Sequence, residues 1–151
     1  MTEILLMTHV LFGVACMIAA VWLFVDVLQV SQANLARIQT ISWFAAGFMW
    51  LAFLAGGYWY VIYYKVDKAI ILKGTWPFAH NAIMETKEHL VIMLLLLTTY
   101  LPIAGSDNLV ESKDARKLML WVAAIVALLA LAMDGEGGII AMGVKVGLLP
   151  R

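Results

Sequence analysis

Residues 4–28 read ILLMTHVLFGVACMIAAVWLFVDVL, an apolar run whose strongly polar members are His9 near its start and Asp26 near its end. A hydrocarbon core of ~30 Å is crossed by about 20 helical residues, so this run is long enough to span a bilayer. It lacks a basic leading region, and no small-residue cleavage site precedes the polar stretch 29–39. It therefore reads as a retained first helix rather than a signal peptide.

The rest of the chain repeats the pattern. Of 151 residues, 64% are hydrophobic and 13% charged, against roughly 25% charged in a soluble domain; the mean hydropathy is +0.94. These values predict an integral membrane protein with the lipid bilayer as its solvent, one domain over 1–151, and spans at about 4–28, 41–64, 76–101 and 118–146. The expected fold is all-α, a four-helix transmembrane bundle running up-down-up-down. With ten basic and ten acidic residues the net charge is zero, and no basic cluster points to nucleic acid. The lone Cys16 excludes an intrachain disulfide and any cysteine-only metal site.

Punctuation along the chain is informative. Tyr58, Trp59, Tyr60, Tyr63 and Tyr64 form an aromatic belt at the end of span two. Lys65, Asp67, Lys68 and Lys73 around an apolar tetrapeptide predict a short interfacial piece. Thr75 and Pro77 open the third helix, and Pro102 is expected to stop it. The acidic, glycine-rich residues 134–138 are expected to interrupt span four. An even number of crossings puts both termini and the segment 65–73 on one face, here side A. Lys65, Lys68, Lys73, Lys87, Lys145 and Arg151 on side A oppose Arg37, Lys113, Arg116 and Lys117 on side B. The positive-inside rule then makes side A cytoplasmic, in a bacterial inner membrane.

Ionisable residues inside a bilayer are costly and mark function. His9 and His89 enter from side A on different helices and can reach similar depth, which is what an axial pair on a b-type haem requires. Glu85, Glu88 and His89 stand at i, i+3 and i+4 on one facet of the third helix. His80 lies roughly opposite His89, at ~100° per residue, and is the weaker alternative ligand. Lys87 is expected to snorkel to headgroups, away from the acidic facet. Gly56, Gly57 and Gly138 would let a flat ligand approach the backbone, or serve helix contacts. Asp134 and Glu136 share side A, so His9, His89, Glu85, Glu88, Asp134 and Glu136 also form a candidate set for non-haem iron or another divalent metal, or for proton transfer. Asp26 is expected to pair near Arg37.

This layout resembles the small four-helix membrane cytochromes of b type, on the architecture of the whole chain and on His9 and His89. The resemblance implies one haem b, electron transfer, and a membrane redox partner or homo-oligomer; an accessory subunit without cofactor is the remaining reading.

Overall fold

In bilayer surroundings every backbone polar group must find a partner within the chain, and the apolar runs meet that demand as helices. The computed structural model describes residues 2–149. It contains α1 (Thr2–Leu28), α2 (Leu35–Ile62), a short α3 (Tyr64–Lys73), a π-helical turn (Ala79–Met84) that runs directly into α4 (Glu85–Ala104), and α5 (Lys113–Gly147). Four helices are long and apolar enough to cross a membrane: Glu3–Leu28, Leu35–Ile62, Ala79–Ala104 and Lys113–Gly147. Among the described residues there is no strand, as the all-α expectation requires.

α1 packs on α2 and α5, and α4 packs on the same two helices, while α1 and α4 do not touch and neither do α2 and α5. The array is therefore a square with α1 and α4 on one diagonal. Its outer surface carries Trp22, Trp43, Leu54, Val61, Ile103, Trp121 and Leu128, all exposed on the bundle, where lipid tails can cover them. Lipid is as apolar as leucine, so close packing must hold the helices together. Small residues supply it, with Ala19 and Ala20 of α1, Ala45 and Ala46 of α2, and Ala123 and Ala130 of α5 all buried. The main core fills the side B half and includes Leu23, Val27, Ile38, Leu101, Leu109, Met119 and Val126. A smaller core at side A joins Tyr64, Ile71, Ala79, Met84 and Ile140.

At the side B turn, Arg37 Nε and Nη2 donate to the two Asp26 oxygens at 2.7 and 2.8 Å, the pairing expected for Asp26. Asn34 closes the same turn by donating to the Asp26 and Gln29 carbonyls. Ser112 caps α5, its Oγ accepting from Ala115 N at 3.2 Å.

Two expected interruptions do not occur. α4 passes through Pro102 and ends at Ala104. Proline lacks the N–H for the preceding turn, but here only the last few residues follow it. Gln39 Nε2 donates to the Pro102 carbonyl at 3.2 Å and ties that end to α2. α5 also continues unbroken through 134–138. None of its glycines has a positive φ, so they act by close approach. A Cβ added at Gly143 would lie 2.8 Å from Ala79 Cβ, and one at Gly147 would lie 2.8 Å from the Ile70 carbonyl oxygen. Gly135 and Gly138 have nothing within 4 Å.

These contacts separate the glycines by role. Gly135→Ala and Gly138→Ala should each stabilise the detergent-solubilised protein by up to about 1 kcal/mol, through helix propensity. Gly143→Ala should destabilise it by about 1–3 kcal/mol, through overpacking. Thermal unfolding of the three variants checks this, and a break in α5 would instead make the first two neutral or harmful. The crossing number is tested separately by single cysteines placed at Lys68 and Asp114, with the buried Cys16 silent. Impermeant maleimide should label them from opposite faces of sealed vesicles.

Candidate functional site

Between the two cores, all four long helices splay around a cavity of about 640 Å³. Its walls include Leu6 and His9 of α1, Phe53, Gly56, Gly57, Trp59 and Tyr60 of α2, Lys87 and Val91 of α4, and Met133, Gly137 and Ile140 of α5. Glu3, Asp67, Glu88 and Lys145 also line it. The volume lies within the ~300–1,000 Å³ typical of small-molecule and cofactor pockets.

One local device is used twice at this cavity. Inside an α-helix the carbonyl of residue i receives the N–H of residue i+4 and still has a second lone pair. A side chain at i+4 would crowd the approach to that lone pair. In α2 the residue four after Ala52 is Gly56, and His9 Nδ1 lies 2.8 Å from the Ala52 carbonyl oxygen. A Cβ on Gly56 would come 2.7 Å from His9 Cε1, so glycine is what admits the ring. In α5 the residue four after Met133 is Gly137, and Lys87 Nζ donates to the Met133 carbonyl at 2.8 Å. A Cβ on Gly137 would lie 3.1 Å from that nitrogen.

The two polar groups are level with one another. Gly13 faces Asp134, whose Oδ1 would be 3.5 Å from an added Cβ. α1 and α5 are antiparallel, so His9, one turn nearer side A than Gly13, stands at the height of Gly138, beside the Gly137 that receives Lys87. Asp134 and Glu136 are close enough to Lys87 for their charges to attract it, and Asp134 also reaches His9. Glu136 Oε2 is buried with no hydrogen-bond partner among the described residues.

The inward facet of α4 runs through Met84, Lys87, Val91, Leu94, Thr98 and Leu101. Lys87 therefore enters the bundle instead of snorkelling outward, and its aliphatic stem suits the apolar facet. Of the acidic facet, Asn81, Glu85 and His89 turn outward, while Glu88, also exposed, stands at the rim of the cavity against Tyr60. Asn81, Glu85, Thr86 and His89 line a shallow outer cleft, and His89 Nδ1 bonds the Glu85 carbonyl at 2.7 Å. His9 and His89 thus face different spaces within one chain. Gly56 and Gly57 line the cavity, but the Gly56 notch is filled by the His9 ring, and Gly138 is exposed away from it. Among the described residues, no three of His, Cys, Asp and Glu come together as a set that could hold a metal ion.

His80 is the buried member of the helix-three pair, only 4% exposed. His89 is exposed, so the two histidines turn to different surroundings, with His80 and not His89 facing the bundle. His80 Nδ1 shares a 3.0 Å hydrogen bond with the hydroxyl of Tyr64, which stacks on Tyr60 at 5.2 Å between centroids. Tyr60 in turn donates to Glu88 Oε1 at 2.6 Å. Outside the spans, burial pushes the Tyr64 phenol up to about 12, helped by the charges of Glu88 and Asp67. Burial also raises the Asp67 carboxyl. The sequence expectation of an aromatic belt and of a Lys87 snorkelling outward does not include these inward contacts. The signal for Lys87 was available in its spacing, three after Met84 and four before Val91.

Comparison of the chain with protein-family models, with curated proteins and with solved structures finds no match.

Proposed function

We propose that the chain is a membrane haem protein of b type that holds one porphyrin in the side A cavity through His9. It would pass electrons as a subunit or partner of a larger membrane redox assembly. The observation that carries this reading is the setting of His9. A ring nitrogen bonded to a carbonyl must carry the proton, so Nδ1–H donates to Ala52 and Nε2 keeps its lone pair. A backbone carbonyl behind the imidazole is the usual support of a metal-bound histidine, because it fixes the tautomer and the ring plane. The residues fit a porphyrin in chemistry as well. Phe53, Trp59, Val91 and Ile140 supply apolar walls, and Lys145 supplies a cation for carboxylate substituents. When bound, the iron would supply the one-electron chemistry; His9 would hold it, and the walls would exclude water.

Side A is read as the cytoplasmic face of a bacterial inner membrane, from five cations, Lys65, Lys68, Lys73, Lys145 and Arg151, against four, Arg37, Lys113, Arg116 and Lys117. Lys87, being inside the bundle, no longer counts toward that balance.

The detergent-purified protein should show a Soret band that shifts on dithionite reduction. His9→Ala should lose at least about nine-tenths of it, as expected when the axial ligand is removed. His89→Ala and the Glu85→Gln, Glu88→Gln double variant should retain it. Full haem in His9→Ala would sink the reading. Gly56→Ala provides a second check, because a Cβ there expels the ring; occupancy should fall while an Ala at Gly57 leaves it unchanged.

A second reading, a proton-coupled intramembrane site, is favoured by Lys87 with Asp134 and Glu136 beside it, since such groups mark proton relays. On that reading, proteoliposomes carrying the protein would collapse a pH gradient and Asp134→Asn would not. Equal leak with both proteins would exclude it.

A further inference from the structure

The outward facet of α4 leaves two ionisable groups with nothing of their own chain to meet. Glu85 and His89 stand one turn apart, both exposed on the outside of the bundle. The imidazole directs Nδ1 to the Glu85 backbone carbonyl. Among the described residues, neither the Glu85 carboxylate nor His89 Nε2 has a hydrogen bond or an ion pair. Their depth makes this costly. At a rise of about 1.5 Å per residue, His89 lies about 22 Å and Glu85 about 28 Å from Ala104, where α4 ends at the side B turn. A hydrocarbon core of ~30 Å measured from that end takes in both residues. Ionisable side chains at such depth face a bundle interior or pair with one another, and these two face away from their own bundle. Further along the same facet come Ile92, Leu96 and Ile103, all exposed. Glu85, His89, Ile92 and Leu96 follow steps of four, three and four, the spacing along which one helix seats against another.

We propose that this facet is the interface with a second copy of the chain, inserted in the same direction and related by a two-fold axis along the membrane normal. In such a pair equal residues stand at equal height, and each contact occurs twice, residue i on j and j on i. A facet meets its own copy in this way when it complements itself, and this one carries an acid and its base. The 2.7 Å bond to the Glu85 carbonyl draws the His89 ring back over the turn of Glu85, the direction in which helical side chains lean. Nε2 of one copy is therefore level with the Glu85 carboxyl of the other. Nδ1 points its proton at the carbonyl, so one further proton held between Nε2 and the carboxyl completes each contact and leaves it net neutral. Two such contacts form, with Ile92, Leu96 and Ile103 packing beside them toward side B. The interface lies outside the cavity and does not rest on the haem reading.

The test is Förster transfer between copies of the full chain, labelled with donor or acceptor at Asp114→Cys, in liposomes diluted stepwise with lipid. Wild type should associate as a dimer. Glu85→Ala and His89→Ala should each weaken association by about ten- to a hundredfold, because each removes both contacts, the size of two interhelical hydrogen bonds in a membrane. Both side chains are exposed, so both variants should keep the wild-type helix content by circular dichroism. A mixture reads the reciprocity directly. Donor-labelled Glu85→Ala with acceptor-labelled His89→Ala regains one contact, from His89 of the first to Glu85 of the second. That mixed pair should associate about three- to tenfold more tightly than either variant with itself, as one such hydrogen bond allows. Wild type that stays monomeric at the highest protein-to-lipid ratio means that headgroups or water meet this facet, and overturns the proposal. So does a dimer indifferent to both variants, whose interface lies on another face, and so does a mixed pair no tighter than its components. Haem content read on the same samples is expected to be the same in all of them, so none of these failures touches the haem reading.

Discussion

A glycine four residues after a backbone carbonyl leaves that carbonyl open to a second donor, and the side A half of this bundle is organised by two such openings. Ala52 with Gly56 receives His9, and Met133 with Gly137 receives Lys87. Each contact draws a long or flat polar side chain across the interface between two helices. The cavity between these helices is walled largely by the apolar residues that face inward there.

The two halves of the bundle thus solve the same problem differently. On side B, buried alanines and a continuous aliphatic core bring helices together, and the ion pair of Asp26 with Arg37 sits at the turn, where Arg37 remains half in water. On side A the polar groups are inside. Lys87 is tolerated there because its head meets a carbonyl and the attraction of two carboxylates, and because its stem continues the apolar facet of α4. Lysine stems are apolar enough to do this wherever a partner waits at the far end.

A π-helical turn leads directly into α4. Six residues with wider turns, 79–84, follow Pro77 and deliver His80 to a buried position against Tyr64. π-turns inside helices recur at functional sites, and this one joins the small side A core to the tyrosine pair and Glu88. Burial raises the Tyr64 phenol, which stays protonated and able to donate across ordinary pH.

The sequence by itself determined the membrane class, four helices long and apolar enough to cross, and the partnership of Asp26 with Arg37. These follow from run lengths and from short-range spacing, which are local properties. It left His80 and His89 on different facets of one helical segment, which the structure shows as one buried and one exposed. Only the tertiary structure decided which of those faces meets the bundle, because a facet with two glutamates and a histidine and a facet with one lysine among apolar residues are both admissible on a lone helix. The choice is made by the partners, Met133 with Gly137 on α5, which offer a reachable carbonyl to Lys87 and nothing equivalent to His89. The same reason explains the glycines of α5. In isolation, 134–138 reads as a break, whereas in the bundle α5 runs through it unbroken, with Lys87 of α4 coming against Gly137 and Ile70, Ile71 and Ala79 against Gly143 and Gly147.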